Sequence, residues 1–200
     1  HHRDLGGLHL ARAEPPQRGD IAQWGAGLPA FIGAAAQLAE ERYLADVARL
    51  DWAVHVAEQS GDRGAAPAGV ERLADTEPAQ LRLHLAPGTA LVSSTHPVAT
   101  IWHAHRSDAP DRFGPVRAAF AKGHGEHALV WRDGYRAQVT ALSEPDGRFT
   151  QAVIDGQALD HALDRAGADF AFEPWLLAAL QQGWLVAVEA DSHSDSRNLE

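Results

Sequence analysis

No cysteine occurs among the 200 residues, which excludes disulfides, thiol nucleophiles, iron–sulfur clusters and every cysteine-based zinc site. Any thiol chemistry must belong to another chain. Methionine is also absent, so His1 does not read as an encoded start, and a fragment or processed product is expected. His1-His2 has the look of a tag remnant, and Leu199-Glu200 of a cloning scar beyond a polar tail. No apolar run approaches the roughly 18 residues of a membrane span, and no charged-then-apolar leader opens the sequence. A soluble, cytoplasmic protein is the expectation. Positive charge is in deficit, with 17 Lys plus Arg against 27 Asp plus Glu and a formal net charge of −10. A general polyanion binder carries the opposite balance.

The remaining composition is that of a globular protein, 45% hydrophobic and 22% charged. Pro29 in the first turn of a helix near Leu28–Ile32 does no harm, since its missing N–H has no partner there. From Tyr43 to about Gln59, Val47, Leu50, Val54 and Ala57 recur at helical spacing while Asp46, Arg49 and Glu58 fall largely off that stripe. After the Gly- and Pro-containing stretch ending near Pro67 the period changes. Leu81-Arg82-Leu83-His84-Leu85 alternates as a half-buried strand, with Thr89 to Val92 as a possible partner. His96 to Trp102 reads as a short helix fading by Arg106, and Ala118 to Ala121 as another helical turn.

Two strand-like runs, His127 to Arg132 and Tyr135 to Leu142, are separated by Asp133-Gly134, a strong hairpin signal. Helical segments follow near Pro145–Ile154, Ala158–Ala166 and Glu173–Gln182, and Trp184 to Val188 closes as a short buried strand. Hairpin, three helices and strand approximate a winged helix. The expected class is α+β, with a helical domain over 1–64, connecting strands and a helix over 65–126, a winged-helix-like domain over 127–190 and a disordered tail over 191–200.

Candidate chemistry is sparse. Gly25-Ala26-Gly27-Leu28-Pro29-Ala30 fits G-x-G-x-x-A with Asp46 beyond it, but no strand precedes Gly25, so a plain turn is preferred to a dinucleotide site. His96, His103 and His105 lack a nearby carboxylate to complete a metal set, and read as surface or capping residues. His124 and His127 are explained by a turn and strand entry, and Asp51 and His55 by a carboxylate–imidazole pair one helical turn apart. Ser93, Ser94 and His96 have no G-x-S-x-G elbow or oxyanion site beside them. Neither a catalytic residue, a metal ligand nor a cofactor site is therefore expected. Most of the six tryptophans read as core, with one or two available to a partner.

Between 127 and 190, four Arg and no Lys stand against nine Asp plus Glu, a net −5. A winged helix with that surface suits protein better than DNA, for example through strand addition by an extended peptide. The strand from Arg136 to Leu142 offers such an edge through Gln138, Val139, Thr140 and Leu142. On the helix from Pro174 to Gln182, Trp175, Leu176, Leu177 and Leu180 present more apolar surface than one core stripe needs. In the competing arrangement, 184–188 covers the strand edge and these leucines are all core.

Gly27-Leu28-Pro29-Ala30-Phe31, followed by Tyr43 through His55, resembles the hallmark of the HvfC/BufC family, whose members are often labelled DNA-binding proteins. Leu81–Leu85, His96–Trp102 and His127–Arg132 are similar to it as well, so that the resemblance runs from about Leu8 to Val188. It implies a helical N-terminal domain, here truncated relative to the family, and a C-terminal domain like a precursor-peptide recognition element. It also implies a non-catalytic partner of multinuclear non-haem iron oxidative enzymes, which modify cysteines in ribosomally made peptides. The family-specific residues place enzyme binding around Trp24, Phe31, Arg42, Tyr43, Arg49 and Trp52, and leader capture on the C-terminal domain. The alternatives are a DNA-binding transcriptional regulator and, more remotely, a metal-dependent enzyme using the scattered histidines.

Overall fold

The structure, a computed structural model, describes residues 25–62, 64 and 66–191. Helix α1 (Leu28–Ala34) carries Pro29 in its first turn, and a 3-10 turn (Ala36–Leu38) leads into α2 (Tyr43–Gln59), whose ends match the sequence pattern. Leu50, Val54 and Ala57 are buried along α2 as the stripe requires. Asp46, expected off the stripe, is buried as well. The physical reason is that α2 is covered on two sides, by a sheet and by a second helix, so its buried face is wider than one stripe.

A short helix α3 (Arg72–Asp75) and a 3-10 turn (Pro78–Gln80) precede β1 (Leu81–Leu85), β2 (Ala90–Ser94), α4 (Val98–Arg106) and α5 (Gly114–Ala121). The hairpin β3 (Glu126–Asp133) and β4 (Arg136–Leu142) forms where the Asp-Gly signal places it, but Asp133 pairs with Arg136 and the turn is Gly134-Tyr135, one residue further on. Gly134 supplies the positive φ of 58° that the two-residue turn requires. Then come α6 (Glu144–Ile154), α7 (Leu159–Ala166), α8 (Phe172–Gln182) and β5 (Leu185–Ala190). The chain is an α+β protein.

Strand pairing departs from the sequence expectation in one respect. β2 does not pair with β1; it joins β3 antiparallel, giving the order β2-β3-β4, while β1 pairs antiparallel with β5. The boundary drawn at 126 therefore runs between hydrogen-bonded strands, because 65–126 supplies β1 to one sheet and β2 to the other. Beyond β5, Ala68 exchanges backbone bonds with Val186 and Val188 at 3.0 and 2.8 Å, and beyond β1, Arg82 bridges to Ala158. Both sides of the two-stranded sheet are occupied.

Two cores lie on opposite faces of the three-stranded sheet. Ala128 and Val130 of β3 with Ala137 and Val139 of β4 meet Leu50 and Val54 of α2 and Val98, Ala99 and Trp102 of α4. The intervening β3 residues Leu129 and Trp131 point the other way, towards Phe149, Leu159, Trp175, Trp184 and the inward leucines of β1 and β5. That period-2 division is why β3 reads as nearly continuous apolar sequence from Ala128 to Trp131.

Candidate functional site

The C-terminal face is organised by β4 and α8. Ser143 caps α6, its Oγ accepting from the Asp146 N–H at 3.3 Å, with Pro145 in the first turn. This turns the chain sharply after β4. The edge stays clear of β5, which pairs with β1, so the arrangement in which 184–188 covers β4 is not adopted. Among the described residues the only strand hydrogen-bonded to β4 is β3. Along β4 the side chains alternate. Val139 is buried in the core shared with α2 and α4, so only its backbone is available to a partner, while Leu142 packs against the opposite core, from which α8 projects. Gln138 and Thr140, in phase with Leu142, are half-buried.

Helix α8 ends at Gly183, whose φ of 71° gives a left-handed cap. Trp175 is core, with its Nε1–H donating to Thr150 Oγ1 at 2.9 Å and its ring edge-on to Phe149 and Trp184. Leu176 and Leu180 are half-buried against that core. Leu177 is the outlier at 55% exposure. Of the helix residues singled out from sequence, Leu177 alone is a free apolar side chain.

The residues grouped near the N-terminus separate. Trp24 lies outside the described residues. Phe31 on α1 is 40% exposed, whereas Trp52 is half-buried against Gly25, where a Cβ would come within 3.0 Å of the indole, and lies tilted beside the His55 ring at 5.3 Å. Arg42 and Tyr43 instead line a cleft of about 600 Å³ bounded by His96, His105, Phe113 and Phe120. Tyr43 meets Phe120 edge-on at 5.4 Å, and both rings lie within 6.4 Å of His96.

Behind this cleft sits a polar cluster that no sequence pattern brought together. The buried Asp46 accepts from Ser94 Oγ and, at 3.1 Å, from His96 Nδ1, and it pairs with Arg49 at 2.5 Å. Burial alone would raise its pKa, but the hydrogen bonds from Ser94 and His96 and the charge of Arg49 together hold it below the ordinary value. Because Nδ1 of His96 serves Asp46, the Nε2 side of the ring is the one left for the cleft.

A second relay joins β2, β3 and α6. Ser93 Oγ lies 2.7 Å from His127 Nδ1, and His127 Nε2 lies 2.7 Å from Glu144 Oε2. The exposed Glu144 is held low, chiefly by its hydrogen bond from His127. Serine, imidazole and carboxylate in line suggest nucleophilic chemistry, but three residues of the adjacent helix end offer no free N–H. Pro145 has no N–H, Asp146 gives its own to Ser143 Oγ, and Gly147 gives its own to the Ser143 carbonyl. The relay ties β2 and β3 to the start of α6. The strand alternation placing Ser93 and His127 on one face was the signal available for it, and their cross-strand pairing was not readable from sequence.

The remaining histidines separate too. His103 bonds the Val139 carbonyl from Nε2 at 3.0 Å, and His105 stacks edge-on to Phe113. Among the described residues no three His, Asp or Glu side chains converge as a metal-ligand set, and no helix is long and apolar enough to cross a membrane. No protein-family model and no curated protein matches the chain.

Proposed function

We propose that the chain is a non-catalytic adaptor of the HvfC/BufC type. It binds a multinuclear non-haem iron oxidative enzyme through its helical part and presents a cysteine-containing ribosomal precursor peptide on its C-terminal part. In this reading 127–190 is a winged-helix-like recognition module. The observation that carries it is the edge position of β4, whose Leu142 packs on the same core as α8, a helix that leaves Leu177 exposed. An edge strand offers backbone groups without demanding one sequence, and α8 supplies side-chain selectivity. The absence of cysteine agrees with a division of labour in which the modified thiol belongs to the peptide. Phe31, Arg42 and Arg49 are the exposed members of the enzyme-binding group, and Tyr43 and Trp52 are half-buried.

Amide hydrogen exchange with and without the precursor peptide is the test. Slower exchange is expected across Gln138–Leu142, and protection confined to α1 and α2 would refute the site. Capture of the oxidase in a pull-down should weaken with Arg42→Glu while the melting temperature holds; undiminished capture would remove Arg42 from the interface. Arg49 is the poorer probe, because its guanidinium is committed to Asp46. The DNA-binding alternative meets the net −5 of 127–190, which repels phosphate, and a gel-shift titration with a steep salt slope is the result that would favour it.

A further inference from the structure

Part of the β4 edge is already taken. The two-residue turn Gly134-Tyr135 makes Asp133 and Arg136 the closing pair, so Arg136, Gln138, Thr140 and Leu142 exchange bonds with β3. Ala137, Val139 and Ala141 therefore turn their N–H and C=O groups outward. Two of those outward groups are met by side chains from other elements. The Ala137 N–H donates to Glu58 Oε1 of α2 at 3.5 Å, and the Val139 carbonyl accepts from His103 Nε2 of α4 at 3.0 Å. His103 is itself fixed, its ring edge-on at 5.0 Å to the buried Trp102, over which Arg106 lies at 3.9 Å. Among the described residues, the outward N–H and C=O of Ala141 have no such cap.

We infer that Glu58 and His103 are stops on the β4 edge, confining strand addition to the Leu142 end and so fixing the register of an incoming segment. A guest strand makes its full two-bond exchange with Ala141 and takes the Val139 N–H. It goes no further while His103 holds the Val139 carbonyl. Guest residues flanking the one opposite Ala141 then point to the face bearing Thr140 and Leu142, the face on which Leu142 packs against the core that α8 shares. The same stops guard the edge against a second copy of this chain, since a fully open strand is a template for self-pairing. The register part rests on the adaptor reading; the guarding part does not.

Residue-resolved exchange and sedimentation on the full chain test it. In Glu58→Ala, exchange at the Ala137 amide should accelerate by up to about tenfold, the usual worth of one net hydrogen bond, while the Gln138 amide, bonded within the sheet, stays unchanged. Glu58→Gln keeps an acceptor and should restore protection. With Glu58→Ala and His103→Ala combined, self-association should rise by about tenfold or more, and adding Ala141→Pro should abolish the rise by removing the N–H of the open rung. Unchanged exchange and unchanged association would overturn the inference. So would peptide-induced protection reaching Ala137 in the unsubstituted protein, although the adaptor reading would survive that result. Caps that behave as expected, with no peptide protection anywhere on β4, would sink the adaptor reading and leave the stops as guards.

Discussion

Two residues carry most of what is unusual in this chain, and each is testable alone. Gly147 lies inside α6, where alanine is normally better by about 1 kcal/mol. A Cβ there would fall 2.6 Å from Cγ of His127, whose ring lies against the helix backbone while bridging Ser93 and Glu144. Gly147→Ala is therefore expected to destabilise by roughly 1–3 kcal/mol, as overpacking does, despite the gain in helix propensity. In the His127→Ala background the penalty should shrink with the ring gone but not vanish, because Cβ of residue 127 lies 2.9 Å from the added methyl. Urea denaturation of the four proteins in that cycle measures the coupling, and additive effects would show that the ring and the glycine are uncoupled. Asp46 behaves differently because it is charged. Its carboxyl is held below the ordinary 3.8, so the folded state prefers the ionised form. That contribution is complete above the ordinary carboxylate range and is lost as pH falls through the depressed folded value. Asp46→Asn should cost roughly 1.5–3 kcal/mol near pH 7, the range for hydrogen bonds to a charged group. The gap between variant and parent should close on acidification below about pH 4. A gap independent of pH would mean that packing, not charge, holds the cluster.

At the scale of elements, local signals and non-local pairing divide cleanly. α2 was legible because its apolar spacing runs unbroken over 17 residues, and the hairpin because Asp133-Gly134 can adopt few other conformations. The helices after the hairpin were legible from Gly156, Gly167 and Gly183, which separate and end them. Partner choice was not legible. Leu81 and Leu83 could have faced β2 by alternation alone, and what decides for β5 is the shared core of Trp184, Leu185 and Val188, which no local pattern encodes. The buried position of Asp46 was hidden for the same reason, since Ser94 and His96 reach it from β2 and the loop before α4. α8 shows the converse: its apolar residues were read from sequence, but which of them is free depends on Thr150. That hydroxyl, fully buried on α6, takes the Trp175 indole N–H and turns the tryptophan inward, leaving Leu177 outside. Thr150→Val removes the acceptor at nearly constant volume and should cost about 1–3 kcal/mol, the penalty for a buried donor left unpaired. A thermal melt measures it, and an unchanged midpoint would show that the indole finds another partner.

For the whole molecule, the crossed pairing leads to the expectation that the C-terminal half does not fold when lifted out alone. A recognition module cut at 127–190 would keep the β3–β4 hairpin, α6, α7, α8 and β5. It would lose β1, whose Leu81 and Leu83 are 1% and 3% exposed in the core they share with Trp184 and Val188, and β2, which covers one side of β3. The opposite face of the hairpin would lose α2 and α4, exposing Ala128, Val130, Ala137 and Val139 together. Fully burying one valine- or leucine-sized side chain contributes about 1.5–3 kcal/mol, and small domains are stable by only about 5–15 kcal/mol. Removing two strands and one whole face exceeds that margin. The fragment 127–191 is expected to be unfolded or aggregated at neutral pH, whereas 25–191 should show dispersed amide resonances and a cooperative melt. A folded 127–191 would mean that the hairpin and three helices form an autonomous module, with β1 and α2 as accessories. An unfolded one would mean that a peptide edge at β4 and any enzyme-binding surface on α1 and α2 share one cooperative unit. In that case, a substitution weakening the core between them should depress both activities together.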